Sequence, residues 1–553
     1  MKIFGTLDTF IEGSGQDQRL GRQVANAHFL RALIRHSQFD AIHLFCPTVS
    51  HVRTLEAALA SDTGGRNRRV RLHTHLHLGE HLETERYAAF HVGGWGLYLP
   101  RLAHLRARVH ATGGAMFPLT GVTHSLHTAD IFAKMREVVA TPFGPCDAIV
   151  CTSSAGQVVM ERHFALAAER HVREGGKVIA RGLRFPRIPL AVSDECFELG
   201  AVEREASRRL FGLGVEDVAL LYLGRLSPYT KADLHPLLYA HAALCRRGGK
   251  RPHLILAGGG DAAHEVTLRQ AAQHIGTGDR VRILRNVTDD QKQHLLAAAD
   301  VFVSPVDNHQ ETFGLAVGEA MAAGLPVVGS DFDGYRDLID DGVTGFRVPT
   351  YGGQLPDSVM GLVGILDPNL CGFLMAQTVV VDVEAMRARL ETLVGDAELR
   401  IRMGAAGRRR ARTLFSWSQA IATYEGLWDE LAAQAEYFTP PMTPGDPQVG
   451  DLHAIFSHYP TAALGPDDEV ALSPIGAEVL AASLVAPPLD RELLPVIDPT
   501  FSSFVLQLFR NGATMSLGAI AAAAERDLGV AEVHAQFQTV WLLKQGLLAI
   551  IRR

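Results

Sequence analysis

Residues 300 to 346 read DVFVSPVDNHQETFGLAVGEAMAAGLPVVGSDFDGYRDLIDDGVTGF: an apolar run, a polar loop, a helix start and a second apolar run. Glu311 stands just before a helix expected from about Thr312 to Ala323, and Glu319 follows on its second turn. The opening amides of such a helix, near Thr312, Phe313, Gly314 and Leu315, have no partners inside it and carry the positive end of its dipole. They suit an anion such as a diphosphate. Gly314 permits close approach of backbone to ligand. Glu319 falls roughly 7 Å further along the axis at 1.5 Å per residue, where a carboxylate can accept two hydroxyl hydrogen bonds from a ribose. A lone Glu on a helix more often faces solvent. Here Ala316, Val317, Ala320 and Met321 surround Glu319 and make the helix apolar on most sides, which argues against a solvated face.

In order and spacing, ETFGLAVGE and GLPVVGSD resemble the signature of the retaining glycosyltransferases of family 4, which have the GT-B architecture: a Glu pair separated by seven residues, FGL between and GxPVV after. The resemblance implies a nucleotide-diphosphate sugar, UDP- or GDP-linked, as donor substrate, with Glu311 on hydroxyls of the sugar and Glu319 on the ribose. Upstream, YLGRLSPYTKADL carries Arg225 and Lys231 six residues apart in a polar loop. They match the family's GR and K residues, which bind the donor diphosphate. Two surface cations are the plain alternative, and the Glu pair in register downstream weakens it. A leaving diphosphate gains charge as the glycosidic bond breaks, and two fixed cations can stabilise it without a divalent metal.

AGGGD sets Gly258 at a strand end, and RVRILRNVTDD resembles the family's segment around the nucleobase, which implies that backbone groups of Asn286 and Val287 read the base. PLTGVTHSLHTADI resembles the segment of sucrose-phosphate synthase-like members in which a His faces the donor sugar, a position taken by His124 with His127 nearby. GSGQDQR resembles the GGQ loop of the same members and puts Gly15 and Gln16 beside the cleft. The resemblance covers about residues 1 to 435 and implies no metal and no cofactor beyond the donor. Two departures stand out: Asp333 replaces the first of a Gly pair and Asp337 a following Glu, and roughly 30 residues are inserted after the GFRVPT run. The insert is apolar enough for a partner or membrane-surface contact, or for a buried flap.

These residues need elements to hold them. Short apolar runs alternate with segments of helical period over most of the chain, the pattern of buried parallel strands with crossover helices. The first series is KIFGTL, AIHLFC, RLHTHLHL, the run Tyr87 to Val92, TGVTHS and AIVCTS, with a helix from Leu20 to His36. The second is ALLYLGR, HLILAGGGD, RVRILRN, DVFVSPV, LPVVGSD and GFRV. The expected fold is therefore α/β, two facing doubly wound Rossmann-like domains with ligands at the carboxyl ends of their strands, plus a small helical tail. The boundaries read as 1–205 for the acceptor-side domain, 206–415 for the nucleotide-sugar domain, 416–436 for a closing helix, 437–470 for a linker and 471–553 for a winged-helix-like extension. Trp417, Ile421, Tyr424 and Trp428 give the closing helix one apolar face. His73, His75 and His77 alternate as on a polar strand face, with His81 beyond; no acidic or Cys partner is spaced to complete a metal set.

The 553 residues suffice for three or four domains with their own cores. Lys and Arg number 53 against 60 Asp and Glu, a net charge of -7, which argues against nucleic acid as a partner. From residue 451 onward six cations meet eleven anions, a net of -5, so the tail is no DNA reader. Its helix, turn, helix, helix, strand order, with Thr514 or Ser516 capping the second helix, is similar to PqqD-like modules that bind a peptide or protein partner. Six scattered Cys without CxxC spacing read as buried thiols. No signal-peptide pattern and no apolar run of the ~18 residues that span a membrane predict a cytoplasmic protein, or one peripheral at the inner membrane face. The acceptor is left open among glycan, lipid and protein or peptide. The rivals are a sucrose or sucrose-phosphate synthase-like enzyme, and a scaffold that keeps the fold while its tail binds a protein; the intact Arg, Lys, Glu and Glu set argues against the scaffold.

Overall fold

The computed structural model describes residues 1–7, 21–63, 69–246, 252–441 and 451–551. By contact density the chain divides into two units: Met1–Leu44, Asn67–Arg71 and Leu82–Thr443 in one, and Phe45–Arg66, Leu72–His81 and Pro444–Arg553 in the other.

The apolar runs of the first half form six parallel strands: β1 Ile3–Thr6, β2 Ala41–Cys46, β3 Val70–Thr74, β4 Tyr87–Val92, β5 Leu119–Val122 and β6 Ala148–Val150. Helix α1 (Gly21–His36) is the crossover from β1 to β2, and helix α2 (Ser154–Arg173) follows β6. The sheet order is β3-β2-β1-β4-β5-β6. The second half repeats it with β7 Ala219–Leu223, β8 His253–Gly258, β9 Val281–Arg285, β10 Val301–Ser304, β11 Val327–Ser330 and β12 Gly345–Val348, in the order β12-β11-β10-β7-β8-β9. Both are the doubly wound order in which the strand sequence reverses at one point, β1 against β4 and β7 against β10, and opens a crevice there. Helices α3 (Asp289–Ala298) and α4 (Leu315–Ala322) flank that point of the second sheet.

Two polar devices hold the strands in register. Before β6, the Asp147 carboxylate takes both Arg106 guanidinium nitrogens (2.7 and 2.8 Å) and the amides of Leu119 (3.0 Å) and Gly144 (2.9 Å). Both side chains of this pair are fully buried, so the four donors replace lost hydration. In the second sheet, the Gly258 carbonyl accepts the Asn286 amide (2.8 Å). Gly258 has φ +144°, and a Cβ there would stand 1.9 Å from the Gly224 carbonyl oxygen, which confines the position to glycine.

After β12 the inserted segment is closed by an antiparallel stem, β13 Thr350–Gly352 with β14 Val379–Val381, and carries helix α5 (Pro368–Ala376), capped by the Asp367 carboxylate. Helix α6 (Trp417–Ala435) then returns to the first sheet. It buries Trp417, Ile421, Tyr424 and Trp428 as the periodicity predicts, and the Trp428 indole donates to Thr120 Oγ1 (3.0 Å).

The second unit contains an antiparallel sheet in the order β16-β15-β17, with β15 Glu469–Leu472, β16 Thr514–Ser516 and β17 Leu548–Ile550. Helices α7 (Pro499–Leu508), α8 (Leu517–Leu528) and α9 (Glu532–Lys544) share with it a core that includes Val470, Phe501, Ile520 and Leu542. Of the two candidate caps, Ser516 caps α8, its Oγ accepting the Ala519 amide (3.2 Å), while Thr514 lies in β16. A three-stranded sheet stands where the sequence order placed a single terminal strand. In the same unit, both Glu492 carboxylate oxygens accept the Val49 amide at the start of helix Val49–Thr63.

One sequence expectation is corrected here. RLHTHLHL is extended only to Thr74; His75–His77 form a single 3-10 turn and Leu78–Thr84 a helix, so the His residues do not alternate on a strand face. Thr74 Oγ1 and His77 Nδ1 share a hydrogen bond across the turn (3.0 Å), a local bond of the kind that competes with strand pairing. The His73 and His81 rings come together instead, 4.1 Å between centroids.

Candidate functional site

A cavity of about 670 Å³ lies beyond the carboxyl ends of the strands of both parallel sheets. Among its lining residues are His124 and Ser125 after β5, Gly224, Arg225 and Lys231 after β7, Gly258 at the end of β8, Glu311 to Ala316 after β10, and Glu319 on α4. The sheet order dictates this convergence: β7 and β10 are neighbours at the reversal point, so the loops that follow them share one crevice.

Within the β7 loop, the Arg225 guanidinium donates to the Thr230 carbonyl (2.7 Å), which curls the loop so that Lys231 points back at the β10 loop. There Lys231 Nζ donates to the Glu311 carboxylate. Burial alone would raise the Glu311 carboxyl, and Lys231, the Phe313 amide and Arg225 together reverse that and hold it below the usual carboxylate range. Burial lowers the Arg225 guanidinium from its ordinary value, opposed by Tyr222 and Glu311; it remains a cation.

The helix after Glu311 starts later than the sequence suggested. Gly314 is left-handed (φ 101°) and serves as N-cap, so Thr312 and Phe313 are not helical and α4 begins at Leu315. Only glycine fits: a Cβ at Gly314 would lie 2.4 Å from the Tyr335 ring, which is pinned through its hydroxyl to Ser304 Oγ (2.7 Å). The amides of Val317 and Gly318 both bond to the Gly314 carbonyl. That leaves those of Leu315 and Ala316, both on the cavity wall, as the ones the helix cannot satisfy itself. The Phe313 side chain is buried edge-on against Phe415 (5.8 Å), so only its backbone is suited to a ligand.

Glu319 is 4% exposed, which excludes the solvated-face alternative. Its Oε1 accepts from Lys292 Nζ of α3 (2.8 Å), and both side chains line the cavity. Lys292 was invisible to sequence reasoning: in DDQKQHLL it reads as a charge on an exposed helical face, and nothing in spacing links it to a Glu 27 residues away. On the opposite wall, the His124 Nε2–H donates to the Gly93 carbonyl after β4 (2.7 Å), which fixes its ring. Lys134, paired with Asp130 (2.6 Å), and Trp95 also line this side and were likewise missed.

Some expected positions fall elsewhere. Asn286 and Val287 are not on the cavity wall: the Asn286 amide is spent on Gly258, and Val287 packs against the apolar core. Gly15 and Gln16 lie outside the described residues. Asp337, in place of the family's usual Glu, caps α2 of the other sheet, accepting from the Ser154 amide (2.6 Å) and hydroxyl (2.7 Å), and so ties the two halves together. Asp333 adopts a left-handed φ of 47° beside Glu311, and burial pushes its carboxyl up to about 8. The insertion supplies part of the rim. Pro368 lines the cavity, Phe373 stacks on Tyr229 of the β7 loop (4.4 Å), and a Cβ at Gly372 would come within 3.3 Å of His127. Its outer residues Met360, Leu362 and Ile365 are exposed. Among the described residues no helix is long and apolar enough to cross a membrane.

Residues 203–354, which span the β7 loop, Lys292 and the Glu pair, match the family described as Glycosyl transferases group 1. The D-inositol 3-phosphate glycosyltransferase of Geodermatophilus obscurus is 30% identical over 334 residues, 57% of this chain and 64% of that protein. That of Saccharomonospora viridis is 35% identical over 154 residues, 27% of this chain and 35% of its own. The chain thus spans less than two thirds of these curated relatives. Among solved structures, sucrose-phosphate synthase from Thermosynechococcus elongatus superposes with a TM-score of 0.50 at 17% identity, covering 78% of this chain and all of that one. A glycosyltransferase from Rickettsia africae gives 0.50 at 12% identity, over 78% and 98%. The two parallel-sheet domains have the GT-B fold of glycosyltransferases.

Proposed function

We propose that this chain is a retaining glycosyltransferase that moves a hexosyl unit from a UDP- or GDP-linked sugar to an acceptor hydroxyl without a divalent metal. One observation carries the reading: Arg225, Lys231, Glu311, Glu319 and the first amides of α4 converge on one cavity. The diphosphate would lie against Arg225, Lys231 and the Leu315 and Ala316 amides, the sugar near Glu311, and the ribose at Glu319. As the bond from the sugar C1 to the diphosphate oxygen breaks, that oxygen keeps the electron pair, and the two cations stabilise its charge. The acceptor oxygen bonds to C1 on the same face, and its proton passes to the departing phosphate oxygen. His124, held by Gly93, forms the wall across from the sugar. Inositol phosphate, which the relatives' names give as acceptor, is the first acceptor to try beside glycan, lipid and peptide hydroxyls.

The test is hydrolysis of a panel of nucleotide sugars by the purified full chain in EDTA. Slow hydrolysis of one donor, lost in Lys231→Ala and Glu319→Ala, is expected. A strict metal requirement, or full activity in both variants, would overturn the site assignment. For the tail, we read a winged-helix-like module that recruits a protein or peptide. That reading is supported by Val533, Phe537 and Val540, exposed on one face of α9 at intervals of four and three.

A further inference from the structure

We infer that Lys292 is a second reader of the donor's ribose, forming with Glu319 a dyad that takes the two neighbouring hydroxyls in opposite hydrogen-bonding senses. This rests on the donor reading above, which assigns the ribose to Glu319.

A carboxylate only accepts, so both hydroxyls of a vicinal diol must point their protons at it unless a donor stands beside it. Here Lys292 Nζ is such a donor, 2.8 Å from Oε1, and Oε2 on the other side of the carboxylate is the acceptor that carries no such bond to Lys292. The ammonium has three protons and gives one to Glu319. Lys292 is itself part of the cavity wall, its side chain 19% exposed against 5% for Glu319, so its spare protons reach the cavity while the carboxylate sits deeper. The second hydroxyl is then met by a donor, through its oxygen. Burial works to lower the Lys292 ammonium, and Glu319 more than offsets it, so the charge that makes this donor strong is kept. The partner helices are fixed independently of any ligand: α3 by the reciprocal Thr288 and Gln291 cap, α4 by the left-handed Gly314. The two charges are therefore placed before the nucleotide arrives, which lowers the cost of ordering them on binding.

Calorimetry on the full chain with uridine and guanosine diphosphates, the 2′-deoxy and 3′-deoxy forms of whichever binds, and inorganic pyrophosphate tests this. Lys292→Met should weaken the ribonucleotide about tenfold, the loss of one hydrogen bond to a charged group. It should also bring one of the two deoxy forms, the one that lacks the hydroxyl met by Lys292, within threefold of the ribonucleotide, keep the discrimination against the other, and leave pyrophosphate unchanged. Lys292→Arg keeps the ion pair but turns the spare donors into the guanidinium plane. It should stay within a fewfold of wild type in affinity and alter the 2′-deoxy to 3′-deoxy preference, and it decides the matter should the Met variant melt below assay temperature. Equal losses for the ribo and both deoxy forms would make Lys292 a brace only, and a parallel loss for pyrophosphate would make it a general cation. An unchanged preference in Lys292→Arg would also overturn the inference. Each of these leaves the donor reading intact, whereas failure of the wild-type chain to bind either nucleotide would overturn both.

Discussion

Replacing Lys231 by Met keeps the length of the stem and removes the ammonium, and it should produce two separable losses. The first is catalytic. A fixed donor aimed at charge that develops in the transition state is worth about 10²- to 10³-fold in kcat, or roughly 2.7–4 kcal/mol; Arg225 remains, so the lower figure applies. The second is structural. Glu311 keeps only 11% of its side chain exposed, and stripping the partner from a buried pair costs about 3–5 kcal/mol while the survivor stays charged. The Phe313 amide and Arg225 still face Glu311, which again favours the lower end. The two losses differ in pH dependence. In the wild type the Glu311 carboxyl is held low, so its stabilisation is present above the unfolded value near ~4.3 and is lost as pH falls through the folded value. In the variant burial dominates and the folded value rises, so the deficit grows as pH climbs past the unfolded value and levels off above the raised one. Melting temperatures of both proteins from pH 4 to 8, with donor hydrolysis followed at pH 7.5, read the two effects apart. A deficit of equal size at pH 4 and pH 8, or a kcat within threefold of wild type, would refute the reasoning.

Three further outcomes are expected. Asp147→Asn should cost about 3–5 kcal/mol in urea unfolding, because it leaves the buried Arg106 guanidinium without its counter-charge; a loss under about 1 kcal/mol counts against that role. Gly314→Ala should lose about 1–3 kcal/mol from a strained left-handed position and weaken nucleoside diphosphate binding more than tenfold, since the Tyr335 ring must move; unchanged affinity by calorimetry would contradict it. Phe537→Asp on α9 should leave donor hydrolysis unaltered and reduce transfer to a protein or peptide acceptor. Equal transfer by mutant and wild type would end the recruitment reading.

Much of the fold was legible because the central β strands of a doubly wound sheet are buried on both faces and so write themselves as unbroken apolar runs, whereas the edge strands β3 and β9 are only partly buried. Eleven of the twelve runs became strands with the expected cores; RLHTHLHL became one only as far as Thr74, because side-chain bonds such as that from Thr74 to His77 are invisible to a pattern of polarity. The start of α4 was misplaced by three residues for a related reason. ETFGLAV has helical period throughout, but the Tyr335 ring, packed over Gly314 from a segment 21 residues on, makes the left-handed turn that delays the helix. Arg225, Lys231, Glu311 and Glu319 drew notice in the sequence because each stands in a segment that resembles a family signature, and all four line the cavity. Lys292 could not, since its meaning comes from a side-chain bond between α3 and α4, a relation between helices that no local spacing encodes. Asp337 makes the same point from the other side. In the sequence it is a departure from a family pattern, and in the fold it is a helix cap that joins two domains. A one-atom-shorter carboxylate than Glu is thus matched to the Ser154 amide and hydroxyl, at a seam beside the helix that would hold the diphosphate. Arg187 reaches the same carboxylate (3.5 Å) and the Thr152 hydroxyl donates to the Thr312 carbonyl (3.5 Å), so the seam is held by several contacts of which Asp337 carries the shortest.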